Sequence, residues 1–172
     1  GTYNLTAEVV VPAEVSIMGA GSATTIINTT YRMPSDFSGG FNHAAILLSS
    51  ATAGTNGNQS ISHLTLDGGN GDASGSTNAI LIRYRSNVSI HDCTIRDFDW
   101  NAIFIYGLQV SDQFPTSWLT GTKIYNCTIT NCTGVMGTWE SQGLIAGYGT
   151  DYLQIYNNTL SSNTRAEGDN GN

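Results

Sequence analysis

The chain has 172 residues, enough for the core of one domain, and no linker marks a second, so residues 1–172 read as a single unit. Charged residues are only 11% of it, and six Lys plus Arg stand against thirteen Asp plus Glu, a formal charge of −7 that disfavours a phosphate-tracking, nucleic-acid-binding surface. No run of about 18 apolar residues predicts a membrane span, and residues 1–20 lack the basic start and apolar stretch of a signal peptide.

Taken in chain order, the predicted elements are short. The opening GTYNLTAEVVVPAEVSIMGAGSATTIIN (1–28) carries brief apolar runs broken by Gly, Pro and Ser. HAAILLSS (43–50) reads as a strand, and ISHLTLD (61–67) follows it as the loosest copy of a repeated motif. The pattern then recurs three times. NAILIRYR (78–85) precedes VSIHDCTIRD (88–97), NAIFIYG (101–107) precedes TKIYNCTITN (122–131), and QGLIAGYG (142–149) precedes LQIYNNTLSS (153–162).

The four motif copies align without gaps. Their columns are Ile61, Ile90, Ile124 and Ile155; Leu64, Cys93, Cys127 and Asn158; Thr65, Thr94, Thr128 and Thr159; and Leu66, Ile95, Ile129 and Leu160, with spacings of 29, 34 and 31 residues in the first. Apolar positions alternate at period two within each strand, and no stretch carries the 3.6-residue period of a helical solenoid. A β-sandwich would show variety from strand to strand instead of in-register columns.

The Ile-x-x-Asn/Cys-Thr-Ile pattern, preceded by a Gly- or Ala-Ile-x-Ile strand, resembles the repeat of the pectate-lyase-like superfamily, and residues 1–28 are similar to the first coil of those proteins. The resemblance implies an all-β, right-handed, single-stranded parallel β-helix of about five coils, with three parallel sheets running along its axis. Strands at 102–106 and 143–147 are then expected in the first sheet, 122–125 and 152–156 in the second, and 127–130 and 158–161 in the third. Two-residue corners are expected at His91-Asp92, Tyr125-Asn126 and Tyr156-Asn157, because Asn and Asp tolerate left-handed backbone angles. Cys93, Cys127 and Asn158 should point inward beside them. The three cysteines, Cys93, Cys127 and Cys132, are an odd set without metal-ligand spacing, so they read as buried packing and not as disulfide or zinc chemistry.

Enzymes of this resemblance work over the first sheet, whose outward positions are expected at Leu47, Leu81, Arg83, Phe104, Tyr106 and Ile145. Neither the carboxylate pair of a glycosidase nor the base of a lyase stands out there. Candidates lie at the edges. Asp97 and Asp99, in RDFDW, form either a carboxylate pair or calcium site, or a corner that caps backbone amides; Asp67 and Asp72, in DGGNGD, have a calcium-loop composition without its regular spacing. Calcium is the cofactor these residues allow. Arg83 and Arg85 flank Tyr84 and either bind an acidic sugar or pair with nearby Asp, while Glu140, beside Trp139, is a candidate acid. Trp100, Trp118 and Trp139, with Tyr106 and Tyr148, are expected either to form a stacking platform for sugar rings or to cover the apolar ladder. The segment 109–121 is an added loop after a first-sheet strand.

Two functional classes follow. In one the protein is a secreted or cell-surface carbohydrate-active β-helix, binding or cleaving an extracellular polysaccharide as a lyase or glycosidase does. In the other it is a non-catalytic surface, adhesin or spike module that packs on a partner through Leu81, Phe104 and Ile145. Seven Asn-x-Ser/Thr sequons, at Asn4, Asn28, Asn58, Asn87, Asn126, Asn131 and Asn157, are glycan acceptors in a secretory setting. The ending SSNTRAEGDNGN contains no apolar segment to cover Ile155 and Leu160, so further coils, a domain or a subunit are expected to stack there.

Overall fold

A computed structural model describes residues 1–31, 43–69, 77–107, 118–134, 136–137, 140–141 and 144–165, with side chains placed outside 133–143 and 164–165. Three all-parallel sheets run through it. The first contains Val9–Val10, Ala44–Ser49, Asn78–Arg83, Ile103–Tyr106 and Ile145–Tyr148; the second Ile17–Met18, Thr55–Ser62, Arg85–His91, Lys123–Tyr125 and Gln154–Tyr156. The third contains Thr2–Leu5, Ile26–Thr29, Thr65–Asp67, Thr94–Arg96, Thr128–Thr130 and Thr159–Ser161. Along the chain the strands of these sheets follow one another in turn, so the fold is a parallel β-helix of five coils preceded by one further third-sheet strand.

The sequence columns are the structural ladders. Ile61 pairs with Ile90, Ile90 with Ile124 and Ile124 with Ile155, while Leu66, Ile95, Ile129 and Leu160 are matched in the third sheet. Backbone hydrogen bonds join each coil to the next, and the alternation of side chains sends one set of residues into a common core that includes Ile46, Leu48, Ile80, Ile82, Ile103, Ile105, Ile90 and Ile124. The opening segment supplies the first coil, whose Gly19 sits where an added Cβ would fall 2.2 Å from the His63 carbonyl oxygen of the next coil.

In the last four coils the corner between the second and third sheets is turned by one left-handed residue, at His63 (φ 57°), Asp92 (φ 53°), Asn126 (φ 54°) and Asn157 (φ 54°). A second series follows the third sheet at Asp97, Asn131 and Ser162. Short polar side chains lower the steric cost of this backbone region, which explains why the corners are so rich in Asn and Asp.

Cys93, Cys127 and Cys132 are all buried and point inward. The Cys93 thiol approaches the His91 carbonyl at 3.3 Å and that of Cys127 approaches Tyr125 at 3.4 Å. In the last coil Asn158 takes over the column: its amide donates to Ile124 O at 2.9 Å and its carbonyl accepts from Cys127 N at 2.9 Å.

One expectation for the first sheet is overturned. Ile145 is in register with Ile103 and joins the inner core, so Ala146, paired with Phe104, is the outward residue. Leu47, Leu81 and Phe104 do point away from the core, but Leu81 and Phe104 are fully buried (0% exposed) within the chain. An apolar first-sheet face formed by Leu81, Phe104 and Ile145 is therefore not presented to a partner.

Burial pushes the Cys132 thiol up to about 11; hydrogen bonding to Cys127, then burial, pushes Cys93 up, while the same hydrogen bond draws Cys127 down against its burial, so that what protects all three is their enclosure. All three thiols should resist alkylation at neutral pH in the native protein and react together once denaturant unfolds it. Rapid native-state labelling of Cys93 or Cys127, read by mass spectrometry, would contradict the inward register.

Candidate functional site

The C-terminal ends of the first-sheet strands carry the densest group of sugar-competent side chains among the described residues. Arg83 pairs with Ser49 and Tyr106, and Tyr106 with Tyr148, so these residues form one row along the coil axis, a step of about 4.8 Å apart. Tyr84 turns the corner beside them with a left-handed φ of 61°. The Arg83 guanidinium carbon lies 4.8 Å from the centre of the Tyr84 ring, and the Tyr84 and Tyr106 rings are 5.8 Å apart. Beneath them Phe104 contacts both Tyr106, at 6.1 Å, and Tyr148, at 6.0 Å edge-on. All four of Arg83, Tyr84, Tyr106 and Tyr148 are half-buried, and the buried Arg83 Nε has no hydrogen-bond partner among the described residues.

Arg85 departs from its expected role. A regular strand would put residues 83 and 85 on one face, but the left-handed corner at Tyr84 reverses the direction, and Arg85 is 2% exposed. Its guanidinium donates to Val11 O at 2.7 Å, Gln59 Oε1 at 2.9 Å and Ser50 Oγ at 3.0 Å, and also to Ser49 O. Gln59 in turn donates to Val15 O at 3.0 Å and Pro12 O at 3.3 Å. Arg85 is thus a tie between three coils and is unavailable to a ligand. Burial draws its guanidinium below the ordinary value.

The remaining predicted residues separate. Trp100 is buried (6% exposed), which removes it from a surface platform, whereas Trp118 is half exposed. Leu119 N donates to Gly149 O at 2.8 Å, so Trp118 is held next to the chain leaving Tyr148, at the rim of the arginine–tyrosine row. Asp97 Oδ1 accepts from Asn131 Nδ2 and its Oδ2 lies 3.7 Å from Arg96 Nε; Asp99 Oδ1 accepts from Thr77 N at 3.1 Å. Each aspartate is engaged with a neighbouring coil, as corner-capping groups are. Arg96 is held chiefly by Asp67, at 2.7 Å. Trp139, the Glu140 side chain, Asp72 and most of the 109–121 loop lie outside the described residues.

A second array went unread in the sequence. His91, Tyr125 and Tyr156 occupy one outward column of the second sheet, with ring centroids 4.9 and 5.0 Å apart and planes within 4° and 1° of parallel. The His63 ring meets His91 edge-on at 5.6 Å, and His91 Nδ1 lies 2.7 Å from Asp92 Oδ2. That hydrogen bond holds the Asp92 carboxyl below the usual carboxylate range. The signal was available one place after the isoleucine column, where Ser62, His91, Tyr125 and Tyr156 align.

No protein-family model and no curated protein matches the chain. Among solved structures it is similar to the crystal structure of a "putative glycosyl hydrolase" from Parabacteroides merdae ATCC 43184, with 15% identity and a TM-score of 0.42, covering 98% of this chain and 79% of that one. At that overlap the likeness carries no functional inference.

The two arginines should respond unequally to the same change. Arg85→Met strands several buried acceptors and is expected to destabilise the fold by on the order of 3 kcal/mol, whereas Arg83→Met is expected to cost less than about 1 kcal/mol. Equal losses in urea unfolding would mean that Arg83, too, is a structural tie.

Proposed function

We propose that this chain is a carbohydrate-binding parallel β-helix of the pectate-lyase-like kind, acting in a secreted or cell-surface setting on an extracellular polysaccharide. The observation that carries the reading is the axial row of Arg83, Tyr106 and Tyr148 with Tyr84 beside it and Trp118 at its rim. Aromatic faces suit the apolar faces of sugar rings, and a half-buried guanidinium suits a uronate carboxylate or a ring hydroxyl. A row built at the coil repeat fits a polymer laid along the axis better than a single small ligand. The polar, sparsely charged surface, on which Asn4, Asn58, Asn87, Asn126, Asn131 and Asn157 are exposed sequon positions, supports the extracellular setting.

The proposal is one of binding. Cleavage by a glycosidase route would require a pair of carboxylates placed across a bound sugar, and Asp97 and Asp99 are each occupied with coil-to-coil contacts.

Purified protein should be screened against acidic and neutral polysaccharides, with binding read by calorimetry and cleavage by new reducing or unsaturated ends. Arg83→Ala and Tyr106→Ala are each expected to weaken binding of the best ligand by about 1–3 kcal/mol, on the scale of aromatic stacking with other planar ligands. Trp118→Ala should give a smaller loss at the rim. Unchanged binding in the first two variants, with a ligand that binds the unaltered protein, would move the site elsewhere; new chain ends would turn the binding surface into an enzyme's.

A further inference from the structure

We propose that His63, His91 and Asp92 form a binding site for a zinc-type divalent cation at the corner between the second and third sheets. Each residue offers one ligand atom, a ring nitrogen from each histidine and an oxygen from the aspartate, and these atoms all lie within 4.8 Å of one another. No other such group of three occurs among the described residues. Ligands around a tetrahedral zinc at its usual bond lengths are separated by roughly 3.3 Å, so the widest gap must close by at most about 1.5 Å while the His91–Asp92 pair, at 2.7 Å, opens slightly. His63 is half-buried, and its ring, which meets His91 only edge-on, swings in to supply that movement.

The other two ligands are already held. His63 and Asp92 turn the same corner on consecutive coils, both with left-handed backbone, and His63 N donates to His91 O at 3.4 Å while Asp92 N donates to Tyr125 O at 3.2 Å. The His91 ring lies flat on Tyr125, 4.9 Å away, which fixes its plane. Asp92 is set by both oxygens, through His91 Nδ1 at 2.7 Å and Asn126 Nδ2 at 3.3 Å. Binding would exchange the His91–Asp92 proton contact for bonds from His91 Nδ1 and the Asp92 carboxylate to the ion, so that two groups now joined by a proton are joined by the metal.

The donor set selects the ion. Two imidazoles with one carboxylate suit Zn²⁺, Co²⁺ or Ni²⁺, whereas Ca²⁺ takes six to eight oxygens, which this corner does not offer. Three protein ligands leave the fourth position to water. The formal charge of −7 favours cation approach. The ladder arrangement confines the site to one level, because the next coil carries Tyr125 and Asn126 at the positions of His91 and Asp92. The site lies on a different face from the arginine–tyrosine row and stands or falls independently of it.

The test uses the whole chain, stripped with chelator and titrated with Co²⁺ followed by Zn²⁺. Saturable one-to-one binding is expected, with visible Co²⁺ bands of four-coordinate intensity that Zn²⁺ abolishes and excess Ca²⁺ leaves unchanged. His63→Gln and His91→Gln, both checked for native circular dichroism, should each lower affinity at least tenfold. Binding that is equal in both variants and the unaltered protein would overturn the site, as would absence of saturable binding. A near-ultraviolet thiolate-to-cobalt band would also overturn it, since the metal would then be on Cys93, Cys127 or Cys132.

Discussion

Everything in this molecule depends on the register between coils. A parallel β-helix has no sequence-local core, so a residue is buried by the coil above and below it more than by its own neighbours in the chain. Ile124 and Ile155 occupy the same column, yet the first is fully buried and the second is 48% exposed. Ile129 and Leu160 differ in the same way, at 0% and 54%. The side chains are equivalent, and only the stacking differs. Hydrogen bonds between coils fix that stacking at every strand, and a slip of one residue would exchange the inner and outer sets of all later coils.

The same constraint explains which residues the corners use. A chain that must change direction every few residues, without lengthening the coil, needs single left-handed positions, and Asp92, Asn126 and Asn157 supply them where His63 does so at greater steric cost. The inward residue next to the corner must then satisfy backbone groups as well as fill space. Thiols at Cys93 and Cys127 do this weakly, approaching carbonyls at 3.3–3.7 Å, whereas the Asn158 amide bonds both a carbonyl and an N–H at 2.9 Å. Asn163 repeats the arrangement on Cys132 N and Ile129 O. Asparagine inside a solenoid is therefore a connector between coils, and its presence in an otherwise apolar column is no anomaly.

The fold was largely legible because register makes columns, and columns survive in a single sequence. Ile61, Ile90, Ile124 and Ile155 could be aligned by eye and proved to be hydrogen-bonded neighbours. The candidate site was legible only in part, for a geometric reason. Period-two reasoning holds within a strand and fails at a left-handed corner, so it placed Arg83 correctly, sent Arg85 to the wrong side of Tyr84, and set Ile145 outward where Ala146 belongs. For Trp100 the sequence leaves platform and ladder cover open, because a large aromatic in a corner can fold inward as easily as outward, and its burial fits the cover. The His63, His91 and Asp92 group was missed because its members belong to two columns that had been read only for turn chemistry.

Stacking also determines what kind of recognition such a fold can offer. A globular protein gathers distant residues into a pocket, but a coil repeat translates one position along an axis and produces rows. Arg83, Tyr106 and Tyr148 form one row on the first sheet, and His91, Tyr125 and Tyr156 form another on the second. The two differ in what lies beneath and beside them. The first rests on the buried Phe104 and mixes a cation with aromatic faces that lean at 37° to 87°, leaving uneven space between rings. In the second the rings are nearly parallel at about the coil spacing, so each covers its neighbour's face and only edges remain open. Faces are what a sugar ring stacks upon. A polymer along the axis is therefore better matched to the irregular row, while the regular one is spent on packing and leaves its polar end, at His91 and Asp92, as the part free to bind.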